Sequence, residues 1–295
     1  MRRTAGVLLA LVLLLAACGD DDSIFGSTTT GEASTTTTAG SSTTAVSTTS
    51  AGSTTTTTAA TTTTTAATTT TTTAPPVPVV TPIPDDFIYE AAPGCAGIAV
   101  TVTLPEVSGL APALNDRINA RLRDTALGRQ NRFLTDAYDG CDPALADAPP
   151  AFIDMGFEAT AVRAGLLSIR FLGADYFQGS AHPNAFVFTL NFNPVTGDLL
   201  ALDSILLPGQ AGSLASLVGD HVLNDLYAGD VDMYDSWVPG VTPDMLQHWV
   251  VSADGIEVSF DPYTVGPGAM GAPTVVVPFS ELAGIVDPAG PAGPE

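Results

Sequence analysis

The sequence predicts an α+β fold of antiparallel sheets with packed helices, in a folded part long enough for one sizeable core or for two small lobes. Three observations lead there. Phe186, Phe188, Leu190 and Phe192 recur at every second position, the alternation of a strand that buries one face. Leu114, Ile118 and Leu122 recur at every fourth, the stripe of an amphipathic helix. Ala164 with Gly165, and Ala253 with Asp254 and Gly255, each separate two apolar runs, the pattern of hairpins.

In chain order, Arg2 and Arg3 precede an apolar run over 7–17, too short for a comfortable membrane span and followed by Cys18. A basic start, an apolar stretch and small residues before a cut site make an export signal over 1–17. Leu15, Ala16, Ala17 and Cys18 resemble the lipobox of bacterial lipoproteins, which implies cleavage before Cys18 and a lipid on that cysteine. A plain secretory leader with an incidental cysteine is the alternative. The expected location is outside the cytoplasm, anchored to the membrane by lipid alone and facing the wall.

All nine basic residues are arginine against 31 carboxylates, a net charge of −22 that becomes −24 once Arg2 and Arg3 leave with the signal. Such a balance excludes nucleic acid and anionic lipid surfaces as partners, because both need a positive face. A cationic extracellular protein or wall polymer fits it; so does solubility alone.

Residues 18–84 read as a disordered tether. Between 26 and 74 nearly every residue is Thr, Ala, Ser or Gly, which buries too little surface to offset the entropy of ordering. As a plain coil it would reach about 40 Å, and its threonines are candidate sites for sugar attachment. Pro75, Pro76, Pro78, Pro82 and Pro84 close it with a stiffer collar.

The small lobe is expected over 85–148, with a strand at 97–104 ended by Pro105 and a helix at 111–125. Arg117 and Arg121 share a helix face and, with Arg123, Arg129 and Arg132, form the basic concentration of the mature chain. They read as an anion site or as a face paired with carboxylates. The larger lobe is expected over 149–287. Its strands fall at 152–162, 166–171 and 186–192, followed by a turn at Pro194, Gly197 and Asp198. Asp203 or Ser204 can cap a helical turn. A second amphipathic helix follows Pro208 and Gly209, with Leu214, Leu217, Val218, His221, Val222 and Leu226 on one side. A hairpin of 249–252 with 256–260, a strand at 275–277 and a helix from Ser280 through 285 complete it, leaving 288–295 as a loose end.

With Cys18 assigned to lipid, Cys95 and Cys141 remain, an even number in a compartment where disulfides persist. They are expected to be bridged, stabilising the fold by roughly 3–4 kcal/mol. Two buried free thiols are the alternative.

GSAHPN at 179–184, NFNPVTGDLLALDSIL at 191–206 and FDPYTVGPGAMGAPTVVVPFSEL at 260–282 together carry a resemblance. They resemble the family of domains of unknown function typified by the extracellular C-terminal domain of the anti-sigma-V factor RsiV. The family is similar also to secreted mycobacterial immunogenic proteins and to part of the peptidoglycan deacetylase PdaC. IAVTVTLPEVSGLAPALNDRINARL at 98–122 looks like the strand, proline and helix unit that precedes this domain. The resemblance implies a two-lobed α+β fold outside the cell and no activity common to all members. In RsiV the domain senses lysozyme by binding it. Neither lysozyme binding nor an anti-sigma role carries over to particular residues here.

Candidate chemistry is sparse. Ser180 and His182, with Asp203 or Asp175 as the acid, could form a hydrolytic set, yet no G-x-S-x-G elbow is present. The same histidine can instead fix its loop. His221 and His248 read as core-edge residues, too far apart for a zinc spacing. Asp230, Asp232 and Asp235 could gather oxygens for calcium but lack an EF-hand's glycine and distal glutamate, and read equally as a solvated acidic turn. Gly266, Gly268 and Gly271 do not open a helix at phosphate-loop spacing. No cofactor is called for. Three functions follow: an envelope lipoprotein binding an extracellular ligand, an esterase-like hydrolase using Ser180 and His182, or a structural envelope protein without a specific ligand.

Overall fold

The computed structural model describes residues 75–293; the leader, Cys18 and the threonine-rich stretch lie outside them. Val79–Pro84 (β1) and Phe87–Tyr89 (β2) both run antiparallel to Ile98–Ser108 (β3). A 28-residue helix, Pro112–Asp139 (α1), leads to Phe152–Arg163 (β4), which lies parallel to β3. Leu166–Tyr176 (β5), Asn184–Asn193 (β6) and Asp198–Leu199 (β7) continue antiparallel, giving a seven-stranded sheet in the order β1-β3-β4-β5-β6-β7, with β2 also on β3. Ala211–His221 (α2) and Val231–Trp237 (α3) follow. His248–Val251 (β8), Gly255–Ser259 (β9) and Thr274–Pro278 (β10) form a second sheet, β10-β9-β8.

Two apolar cores result. In the first, Phe186 and Phe192 of β6 meet Ile118, Leu122 and Phe133 of α1 over the buried side chains of β3, β4 and β5. Phe171 and Phe188 stack there with centroids 4.6 Å apart. In the second, Leu214 and Val218 of α2, with Val222 just after it, pack with Val251, Ile256, Val258 and Val277 of the small sheet, and Ala161 and Leu166 reach in from the β4–β5 hairpin. Strands β4 and β5 therefore serve both cores.

The two sheets are joined by a row of polar side chains. By alternation, Asn191 points to the opposite face of β6 from Phe192, and Ser168 stands opposite it on β5. Asn191 Nδ2 donates to the Trp249 carbonyl at 2.8 Å. The Val251 N–H donates to Ser168 Oγ at 3.3 Å, and Thr160 Oγ1 donates to the Val251 carbonyl at 2.7 Å. Strand β8 has β9 on one side only, so its other edge would hold unsatisfied backbone groups in a dry interface. The row Thr160, Ser168, Asn191 supplies their partners. Beside it Arg170 bridges Glu158 of β4 and Glu257 of β9.

Several elements extend past their expected limits. Helix α1 runs fourteen residues beyond 125, burying Ala126, Gln130, Phe133, Leu134 and Ala137; Gly128 and the polar run after it interrupt the apolar stripe without breaking the helix. Pro105 does not end β3. It stands opposite Pro82, and two prolines can face each other only as a pair that exchanges no hydrogen bond. Part of the stretch assigned to the tether is strand: Val79–Pro84 pairs along β3. Pro82 and Pro84 fit there because their missing N–H groups face away from β3, so no ladder bond is lost. The end of the chain also packs, with Ala292 wholly buried and Arg163 Nη1 donating to the Gly293 carbonyl at 3.2 Å. The segment after Pro278 makes a 3-10 turn, Phe279–Glu281, in place of a helix to 285.

Cys95 and Cys141 are bridged, their Cα atoms 6.4 Å apart, tying the approach to β3 to the end of α1 across 46 residues. Closing a loop of that size is worth about 4 kcal/mol in the chain-entropy view. Reduction is expected to lower the unfolding free energy by about that amount, measured by denaturant titration with and without reductant; an unchanged midpoint would count against the bridge. Asn191→Leu, which strips the Trp249 carbonyl of its donor, is expected to lose about 1–3 kcal/mol, read as a fall in Tm.

Candidate functional site

The turn between β5 and β6 holds Ser180 and His182. Gly179 takes φ +84° above the Leu145 side chain, where a Cβ would lie 2.7 Å from Cδ1. The Ser180 N–H donates to the Phe177 carbonyl at 3.0 Å, and Gln178 Nε2 donates to the Leu145 carbonyl at 2.8 Å. His182 is exposed, its Nδ1 donating to the Pro183 carbonyl at 3.0 Å. Asp203 is exposed in the 3-10 turn Leu202–Ser204 after β7. Among the described residues no hydrogen bond joins Ser180, His182 and Asp203. The acid nearest in sequence, Asp175, is engaged by Arg129.

That pair is structural. Asp175 is 3% exposed, and Arg129 spans the gap from α1, stacking its guanidinium 4.4 Å from the centroid of Phe186. Burial raises the Asp175 carboxyl above its ordinary value, with Arg129 and a hydrogen bond from Asn184 pulling it down. The other arginines do not gather into an anion site. Arg117 pairs with Asp198 and Arg123 with Glu106; Arg121 and Arg132 have no carboxylate partner among the described residues.

The acidic turn at 230–235 is the start of a helix. Asp230 is the N-cap of α3, its Oδ1 accepting from the Met233 N–H at 3.0 Å, and Asp232 lies in the first turn, where a negative charge suits the helix dipole. Among the described residues no group of three or more His, Cys, Asp or Glu is placed to hold a metal. His221 lies between Asp225 at 3.1 Å and Glu281 at 3.3 Å, and His248 lies 3.3 Å from Asp261.

Around α2 and α3 the surface has a distinct character. Gly212, Ser216 and Gly219 keep one side of α2 low, and Tyr234 and Val241 border it across a groove of about 310 Å³. Burial, then the charges of Asp235 and Asp220, hold the Tyr234 hydroxyl above its ordinary pKa. Asp225, Asp230 and Asp232 lie on the same stretch of chain, which has no arginine or lysine. Indeed Arg170 is the last basic residue, and the 125 residues beyond it contain fifteen carboxylates. Against this charge, α3 exposes Val231 at 53%, Met233 at 53% and Trp237 at 45%. Exposed apolar side chains thus alternate along this stretch with carboxylates. A seven-residue helix is too short for periodicity to reveal, though Met233 and Trp237 four apart behind a capping Asp230 were the available signal.

The fold and this face define an α+β domain of two cross-braced sheets with an acidic helical surface. Residues 224–280, which include α3 and the whole small sheet, match a family described as "Protein of unknown function (DUF3298)". Two solved structures are similar in fold. One, a DUF3298 family protein from Pseudomonas aeruginosa PAO1, is 18% identical with a TM-score of 0.55, covering 74% of this chain and 97% of that one. The other, a DUF3298 family member from Bacteroides fragilis NCTC 9343, is 14% identical with a TM-score of 0.57, covering 72% of this chain and 95% of that one. No curated protein matches this chain.

A carboxyl whose pKa is raised in the folded state favours folding fully below the ordinary carboxylate value and loses that contribution as pH rises through the raised value. The stability of the protein relative to Asp175→Asn is therefore expected to decline as pH climbs from about 3 to about 7. Denaturant titrations of both proteins across that range check it, and a difference that grows with pH would contradict it.

Proposed function

We propose that this chain is an exported, lipid-anchored domain that binds a cationic extracellular protein through the acidic α2–α3 face. The observation that carries the reading is that face itself: Trp237, Met233 and Val231 exposed on a stretch that also carries Asp220, Asp225, Asp232 and Asp235. Aromatic and methionine side chains supply contact area at interfaces, and a surrounding field of one sign speeds and selects the encounter. The leader and Cys18 support a place outside the cytoplasm, and the threonine-rich tether would hold the domain away from the membrane. The resemblance to the RsiV sensor domain supports ligand binding without the signalling part. The hydrolytic alternative has no comparable support, because Ser180, His182 and Asp203 are not linked by hydrogen bonds.

Lysozyme is a suitable cationic probe. Binding measured by calorimetry is expected to weaken steeply between low and high salt, and Asp220→Asn with Asp235→Asn to weaken it about tenfold at low salt, on the order of 0.7 kcal/mol per charge lost. Trp237→Ala is expected to weaken binding at both salt concentrations. Affinity indifferent to salt and to all three substitutions would refute the reading.

A further inference from the structure

The large sheet has two outer edges, and they are treated differently. On β1, Pro82 and Pro84 face outward and leave no N–H for another strand to use. On β6 the outward groups lie at odd positions, since the Asn191 and Asn193 carbonyls accept from Leu200 and Gly197 on that side. β7 pairs only with Phe192 and Asn193, and after Leu200 the chain leaves. Thr189 is the next outward position. It is half-buried, and its backbone N–H and carbonyl have no partner on that edge among the described residues.

A groove of about 350 Å³ opens where β7 departs, bordered by Thr189, Leu190, Leu200, Leu202, Leu246 and Trp249. Asn191 also borders it, and its side-chain oxygen is buried without a hydrogen-bond partner. An unused strand edge and an apolar slot are together what an extended peptide satisfies: backbone on the edge and one side chain in the slot.

We propose that an extended basic segment of the partner protein adds to the β6 edge at Thr189, seating an apolar side chain against Leu190, Leu202, Leu246 and Trp249. The assignment deepens the function proposed above and rests on it for the partner's charge. Asp203 follows the lining Leu202, Asp244 precedes Leu246 by two residues, and both are exposed, so the segments that line the groove carry negative and no positive charge. The chain's own segment over 26–74 is a poor occupant, because Val46 is its single large apolar residue. A second copy is repelled by its like charge.

The probe is a ten-residue peptide of alternating lysine and valine, compared with the same peptide N-methylated at every second residue. Hydrogen exchange is expected to show the Thr189 amide newly protected by the first peptide, while the Phe188 and Leu190 amides, already directed at β5, change little. N-methylation and Thr189→Pro are each expected to weaken binding at least tenfold. Thr189→Pro removes no bond to β5, and its Tm verifies that the fold persists; should it not, the methylated peptide decides with the unaltered protein. No binding, equal binding of the methylated peptide, or binding that leaves Thr189 exchange unchanged would overturn the proposal. If lysozyme binds and responds to Asp220→Asn with Asp235→Asn while the edge is untouched, the edge assignment falls and the acidic-face reading stands. If lysozyme does not bind at all, that reading falls.

Discussion

Three polar side chains on the back of the large sheet decide how the molecule is put together. Thr160, Ser168 and Asn191, on adjacent strands, hold the free edge of β8 by hydrogen bonds to its backbone. A sheet edge buried without partners would forfeit several hydrogen bonds' worth of stability. Satisfied in this way, it fixes β8 crosswise on β4, β5 and β6, and apolar contacts alone would not specify that register. Arg170, shared by Glu158 and Glu257, pins the same junction from the side.

Much else follows from that junction. With one face of the large sheet given to α1 and the other partly to the small sheet, α2 has a second core to pack on. The low side of α2 then leaves space beside Tyr234, and α3 stands exposed at its margin. The charge distribution follows the same division. Every arginine of the described residues lies on α1, β4 or β5, where five are matched to carboxylates or backbone, so the acidic excess falls on the part built around the small sheet. The ion pairs thus gather on α1, β4 and β5, and the exposed apolar side chains of α3 lie on a stretch without a basic residue.

The strands that bury one face were legible in the sequence, because β6 and β9 alternate cleanly and their turns are marked by glycine. The disulfide was legible from parity once Cys18 was set aside. What could not be read came from contacts distant along the chain. Asn191 and Trp249 are 58 residues apart, Ser168 and Val251 are 83 apart, and Thr160 and Val251 are 91 apart; each side chain alone looks like an ordinary strand polar residue. Pro82 and Pro84 read as a collar and Pro105 as a strand end because the direction of the missing N–H depends on register, which the local sequence does not carry. Gly128 hid the second half of α1. Ser180 and His182 stood out by nearness in sequence, yet no hydrogen bond joins them, and the His182 ring bonds the Pro183 carbonyl instead.

The central claim is that the α2–α3 face engages a cationic protein. Backbone amide shifts followed by NMR during titration with lysozyme test it most directly. The account expects the largest changes over 216–241 and at the groove beside Tyr234, shrinking as salt is raised. Changes centred on α1 or on the β5–β6 turn at Ser180 and His182, or none anywhere, would contradict it.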